Sequence, residues 1–72
     1  MGDTPIATQV FDRWDLELPY KRVANVKLAT FDGGMQMVRL IIREGKRITQ
    51  VDLDADTAER LAAALQATAK DI

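Results

Sequence analysis

The sequence contains no Cys, no His and no Ser. These absences exclude a disulfide framework, a zinc site of Cys and His, and a Ser/His or Cys/His nucleophile. No segment approaches the roughly 18 consecutive apolar residues of a membrane span. Residues 1–9 have neither the basic start nor the apolar run of a secretory signal. We therefore expect a cytoplasmic protein without contact to a membrane, and the lack of Cys fits that reducing compartment.

The chain of 72 residues is long enough for one small domain. We expect residues 1–9 to form a flexible N-terminal segment and residues 10–72 to fold as a single unit. A core of this size contributes only a few kcal/mol of stability, and neither a disulfide nor a Cys/His metal site can add to it. Self-association, or docking on another protein, is then the expected source of further stability.

Alternating side chains predict four strands. Trp14, Leu16 and Leu18 alternate with acidic residues up to Pro19, which is typical of a strand near a sheet edge. Three further strands are predicted over residues 23–31, 35–43 and 47–53. Asp32-Gly33-Gly34 and Glu44-Gly45 are the predicted turns between them.

The faces of the sheet follow from the turn lengths. A three-residue loop at 32–34 pairs Leu28 with Val38 and keeps one face apolar, whereas a two-residue turn would set Lys27 opposite Val38. A two-residue Glu44-Gly45 turn would then pair Val38 with Val51. The apolar face, predicted to be the inner one, contains Ala24, Val26, Leu28, Val38, Leu40, Ile42, Val51 and Leu53. The mixed face, predicted to be the outer one, contains Lys27, Met37, Arg39, Ile41, Ile48 and Gln50, with Phe31 near one end.

The last segment has helical spacing. Asp54 or Asp56 can cap its start, where a carboxylate also favours the helix dipole. One stripe of the helix consists of Ala58, Leu61, Ala62, Leu65, Ala69 and Ile72. This apolar stripe is expected to cover the apolar face. The predicted fold class is α+β, an antiparallel four-stranded β-meander followed by one C-terminal α-helix packed on one sheet face.

The motifs that could carry chemistry fail on inspection. The acidic run from Asp52 lacks the Gly and Glu that a calcium loop needs at its sixth and twelfth positions. The Gly33-Gly34 turn has no phosphate-loop pattern and leads into a strand. Asp12, Asp15 and Glu17 are the remaining acid–base candidates, and their alternation with Trp14 and Leu16 is typical of a solvated face. We expect no enzyme activity, no catalytic residue, no cofactor, no metal and no small-molecule substrate.

Charge is unevenly distributed along the chain. Residues 19–51 hold seven basic and two acidic residues, a net +5, and the segments on either side each have a net charge of −3. Like charges on neighbouring strands are unfavourable, which indicates an anionic partner for the mixed face. The candidate interaction surface there consists of Lys27, Phe31, Met37, Arg39, Ile41, Arg43 and Ile48.

Three interpretations of that surface are open. It is an ordinary solvated face whose cations protect a sheet edge; it is a contact surface for a protein, including a second copy; or it binds nucleic acid. The mixed face also carries adjacent apolar residues, and Trp14 can fold across them. These residues are Met35, Met37, Ile41 and Ile48. The Ala-rich helix would let two helices approach closely.

Three segments of the chain together resemble a family of small bacterial proteins of uncharacterised function. They are Asp15-Leu-Glu-Leu-Pro-Tyr20, the run from Gly34 to Arg47, and Asp52-Leu-Asp-Ala-Asp-Thr-Ala58. That resemblance implies no activity and no site residues. A sheet followed by one helix is also similar in order to the fold of single-stranded-DNA-binding transcriptional cofactors, which dimerise through the helix. This chain differs from them in having no basic overall charge and few aromatic residues.

The leading hypothesis is a small non-catalytic protein-interaction module that forms a homo-oligomer, most simply a homodimer, or binds another protein. The alternative is a weak single-stranded nucleic-acid-binding protein that uses Lys27, Phe31, Arg39 and Arg43.

Overall fold

Four strands form one antiparallel sheet that is followed by a helix, in a computed structural model that describes residues 6–72. The elements are β1 (Ala7–Leu18), β2 (Arg22–Phe31), a short 3-10 turn (Asp32–Gly34), β3 (Gln36–Glu44), β4 (Arg47–Leu53) and α1 (Ala55–Ala69). The strands lie in the order β1-β2-β3-β4. The predicted fold class is confirmed. Of the N-terminal segment predicted to be flexible, residues 1–5 lie outside the described part, and Ala7 to Gln9 belong to β1.

Two irregularities interrupt the pairing of β1 with β2, at Thr8 and at Arg13. A bulge adds one residue to one strand and changes which face the following side chains take. Asp12 therefore pairs with Lys27 on the mixed face. Trp14, two residues later, pairs with Val26 on the apolar face. The possibility that Trp14 folds across the mixed face is thus wrong.

The hairpin between β2 and β3 has the predicted register. Leu28 pairs with Val38 and Val26 with Leu40. The loop is closed by a bond from the Phe31 backbone N–H to the Met35 carbonyl of 2.8 Å. Gly33 and Gly34 both have a φ of +85°, which a side chain would disfavour.

The hairpin between β3 and β4 differs from the prediction by two residues. Leu40, not Val38, pairs with Val51, and the predicted Glu44-Gly45 turn is wrong. The turn residues are Gly45 and Lys46, because Glu44 still pairs with Arg47 and Gly45 has a φ of +59°. A shift of two residues leaves every side chain on its predicted face.

The apolar face is wider than predicted because β1 contributes to it. Cross-strand partners share a face, so the pairing of β1 adds Phe11, Trp14, Leu16 and Leu18 to the eight predicted residues. Ala24 is buried there, but Trp14 is 67% exposed and Phe11 49%. The apolar face therefore stays open in the single chain.

Helix α1 begins at Ala55, and Asp54 precedes it in an extended conformation as its N-cap residue. The helix contacts β3 and β4. Ala58 is half-buried, whereas every other residue of α1 is exposed. Leu65, in the middle of the predicted apolar stripe, is 63% exposed. The expectation that the apolar stripe covers the apolar face is therefore wrong: only the first turns approach the sheet.

The open arrangement is visible in the dimensions of the molecule. Its accessible surface is 6042 Å², against about 4,500 Å² for a folded monomer of this mass. Residues 1–5 account for no more than about 750 Å² of the difference, the full area of five unfolded residues. About 800 Å² of excess surface remains on residues 6–72.

Candidate interaction surface

The mixed face buries part of its apolar surface in the single chain. The structure brings all seven predicted interaction residues to this one face. Two of them are buried, since Phe31 is 4% and Ile41 6% exposed. Ile48, by contrast, is 56% exposed. Phe31 therefore has no free ring face on which a base could stack.

Each predicted cation of the mixed face has a partner on the same face. The ammonium of Lys27 lies 2.6 Å from the carboxylate of Asp12. Arg43 donates a 2.8 Å hydrogen bond to the side-chain oxygen of Asn25, whose amide in turn donates to Asp15 at 2.7 Å. These contacts offset the repulsion that the neighbouring cations would otherwise exert. Carboxylates of the same chain therefore take the place of the external anionic partner that the charge pattern of the sequence indicates.

Within residues 6–72, Arg39 alone of these three cations makes a bidentate contact. Its Nε and one terminal nitrogen donate to the two carboxylate oxygens of Asp52 at 2.9 and 3.1 Å. The hydrogen bond with Asp52 raises the pKa of Arg39 above its ordinary value, although partial burial acts in the opposite direction. The guanidinium also lies 6.0 Å from the centre of the Phe31 ring. In the register, Ala29 and Met37 form the pair between these two side chains, and Ala29 is fully buried.

The apolar face, in contrast, has no such network of paired charges over its centre among the described residues, and many of its apolar side chains contact water. Its rows on β2 and β3 are half-buried, and its outer rows are exposed, with Leu16 at 53% and Val51 at 45%. A monomeric soluble protein rarely exposes a contiguous apolar patch of more than a few hundred Å². The apolar face is therefore the stronger candidate for a contact surface.

A groove of about 230 Å³ lies on this face. Trp14, Val26, Leu28 and Val38 supply its apolar walls, and Arg13 and Lys27 also line it. Arg13, which precedes Trp14 in the chain, is the bulge residue of β1. The groove can accept an apolar side chain, and Arg13 lies at its border, whereas the ammonium of Lys27 is bonded to Asp12 on the mixed face.

One end of the apolar face carries an ion pair. Arg22 and Glu44 are partners across β2 and β3, and the Arg22 Nε donates to the Glu44 carboxylate at 2.7 Å. This contact lowers the pKa of Glu44 below its ordinary value of 4.5. The Arg22 guanidinium lies 5.8 Å from the ring centre of Tyr20 in the preceding turn.

The helix supplies a second uncovered apolar surface. Leu61 is 40% and Leu65 63% exposed. A helix of mixed polarity derives most of its stability from packing of its apolar side. The apolar stripe and the apolar face are thus two unpartnered surfaces on the same chain.

Sequence reasoning missed Phe11, Trp14 and Leu16 as members of the candidate surface. The period of two placed Leu16 correctly relative to Trp14, but no prediction connected β1 to the apolar face. Phe11 and Trp14 share a face although they are three residues apart, because Arg13 is a bulge. No pattern in the sequence marks this bulge.

Across residues 6–72, no group of acidic side chains has the arrangement of a metal site. Within the same range, no helix has the length and apolar character needed to cross a membrane.

Comparison with curated proteins and with solved structures gives no match. A family model does match, over residues 9–71, and it describes a family of unknown function. The matched range includes all of β2, β3, β4 and α1 and most of β1. The chain belongs to this family of unknown function, DUF6967.

Proposed function

We propose that the protein is a non-catalytic interaction module of the cytoplasm that self-associates through its apolar face. The observation that supports this is an apolar face whose outer rows are exposed, with Leu16 on β1 and Val51 on β4, while cations of the opposite face are paired with carboxylates of the same chain. Burial of such a surface is the main favourable contribution to most protein association.

The excess surface has the size of an interface. About 800 Å² per partner is the area buried in a standard complex, and stable homodimers bury more. The excess of about 800 Å² on residues 6–72 is of this size. A second copy of the chain is a sufficient partner, because a two-fold interface uses the same patch on both subunits.

Trp14 provides the test, because it is the single Trp of the chain and lies on the apolar face. We expect sedimentation from nanomolar to micromolar concentration to show a dimer of twice 8.0 kDa. Over the same range the fluorescence of Trp14 should shift to shorter wavelength as its 67% exposed side chain loses water. A monomer at every concentration, with unchanged Trp14 emission, would contradict self-association.

Nucleic-acid binding remains the alternative. Lys27 and Arg39 each have a carboxylate partner, and Arg43 is bonded to Asn25. Binding of phosphates would have to compete with these contacts. We therefore expect no change in anisotropy when a fluorescent single-stranded oligonucleotide is mixed with the protein at low salt. Salt-sensitive binding that is lost in Lys27→Gln would favour the alternative.

A further inference from the structure

We propose that α1 of each copy lies on the apolar face of the other copy, so that two chains exchange their helices reciprocally. This inference deepens the proposed function and rests on it: it names the segment of the second copy that covers the apolar face. The chain leaves two complementary apolar surfaces uncovered, and reciprocal exchange covers both of them with one symmetric contact.

The dimensions of the two surfaces agree. A helix of 15 residues is about 22 Å long and about 10 Å wide. Two neighbouring strands present about that width, and five residues of a strand span about 17 Å. The central rows of the apolar face run from Ala24 to Leu28 on β2 and from Val38 to Ile42 on β3. One helix can therefore lie along both rows, where its two sides reach the neighbouring Trp14 on β1 and Val51 on β4.

The geometry of the single chain disfavours the same contact within one copy. Asp54 alone connects Leu53, the last residue of β4, to the start of α1. The helix leaves the sheet after its first turns, since Ala58 is half-buried and Leu65 is 63% exposed.

The alternatives leave apolar surface exposed. Two apolar faces packed on each other would leave both apolar stripes in water, and two paired helices would leave both apolar faces in water. The charges also favour exchange. Residues 52–72 carry a net charge of −3, whereas Arg13 borders the groove beside Trp14 and Arg47 lies on the apolar face of β4.

The absence of Cys from the chain allows a direct test by cross-linking. Val26→Cys labels the apolar face, and Leu65→Cys labels the apolar stripe. The two variants are mixed, unfolded and refolded together, and treated with a short bismaleimide. We expect a covalent heterodimer, identified by its mass, and far less product from either variant alone.

Two matched variants serve as controls. Ile48→Cys lies on the mixed face of β4, and Ala67→Cys lies on the side of α1 opposite the apolar stripe. The mixtures Ile48→Cys with Leu65→Cys and Val26→Cys with Ala67→Cys should give little heterodimer. A yield equal to that of the first mixture would overturn the inference, because the cross-link would then report collision and not a defined contact.

The outcomes separate this inference from the proposed function. A dimer in which Leu65→Cys alone cross-links would show helix–helix packing, and one in which Val26→Cys alone cross-links would show sheet–sheet packing. Either result overturns helix exchange and leaves self-association intact. A Val26→Cys/Leu65→Cys chain that cross-links internally as a monomer would overturn both.

Discussion

Val51 and Ile48 lie three residues apart on β4 and project from opposite faces of the sheet. Val51 pairs with Leu40 on the apolar face, and Ile48 pairs with Arg43 on the mixed face. Both are β-branched, and both are about half exposed, at 45% and 56%. They therefore form a matched pair for deciding which face of the sheet is the interface.

We expect Val51→Glu to weaken self-association by at least about 30-fold, the equivalent of a 2 kcal/mol hot spot. The reason is that a carboxylate would be buried without a partner in the interface. Ile48→Glu should leave the dissociation constant unchanged, because its carboxylate would lie in water beside Arg43. Sedimentation of both variants at a series of concentrations measures the difference. The reverse ranking would place the interface on the mixed face.

The alternation of apolar residues was enough to predict the faces of β2, β3 and β4 but not every register. The loop at 32–34 was predictable because a slip of one residue would have put Lys27 opposite Val38. The error at Gly45 was different, since a slip of two residues keeps Val51 and Leu53 on the apolar face. Apolar pattern cannot distinguish two such registers.

The ion pairs of the mixed face could not be predicted from sequence patterns. Asp12 reaches Lys27 because of the bulge at Arg13, and Asp52 reaches Arg39 because of the shifted β4 register. The bulge and the position of the turn at Gly45 and Lys46 are local features of the backbone that periodicity does not encode. Without them the mixed face looks basic and free, which is why sequence reasoning placed the candidate surface there.

The bond between Arg39 and Asp52 is expected to stabilise the fold. Arg39→Met keeps the apolar stem but leaves the Asp52 carboxylate without its bidentate partner, in a site where it is 26% exposed. We expect a loss of about 1–3 kcal/mol of unfolding free energy, measured by urea denaturation at fixed protein concentration.

Arg60→Met is the matched control for this substitution. Arg60 and Asp56 form an ion pair within α1 whose side chains are 80% and 69% exposed. Such surface pairs contribute no more than about 0.5 kcal/mol. If the two substitutions cost the same, the Arg39 contact is a surface pair too, and the mixed face would be stabilised by apolar packing alone.

The ion pair of Arg22 and Glu44 should make stability depend on pH. Its contact lowers the pKa of Glu44 in the folded state below the ordinary 4.5. The unfolded chain therefore binds this proton more readily than the folded chain. The contribution is fully present above pH 4.5 and is lost as the pH falls through the folded-state pKa.

A double-mutant cycle isolates this pair. Urea midpoints of the wild type, Arg22→Gln, Glu44→Gln and the double variant are compared at pH 7 and at pH 3. We expect a favourable coupling at pH 7 that decreases at pH 3. A coupling that is equal at both values would show that the carboxylate charge is not what joins the two side chains.

Lys21 is expected to reduce the stability of the first hairpin through its backbone. It has a φ of +60°, and Tyr20 before it has a φ of +63°, although neither is Gly. The left-handed region costs a residue with a side chain about 1–2 kcal/mol, and Gly avoids that cost. Lys21→Gly should therefore raise the unfolding free energy by up to about 1 kcal/mol, after the greater freedom of Gly in the unfolded chain is subtracted.

Lys46 in the turn after β3 provides the comparison, because it does not have a positive φ. Lys46→Gly relieves no left-handed strain, because Lys46 has none, and it makes the unfolded chain more flexible. It should therefore lower the unfolding free energy by about 0.5–1 kcal/mol. Urea denaturation of both variants at one protein concentration measures the contrast. Equal losses in the two variants would contradict a left-handed backbone at Lys21, and the pairing of Leu18 with Arg22 beside it would then need a different turn.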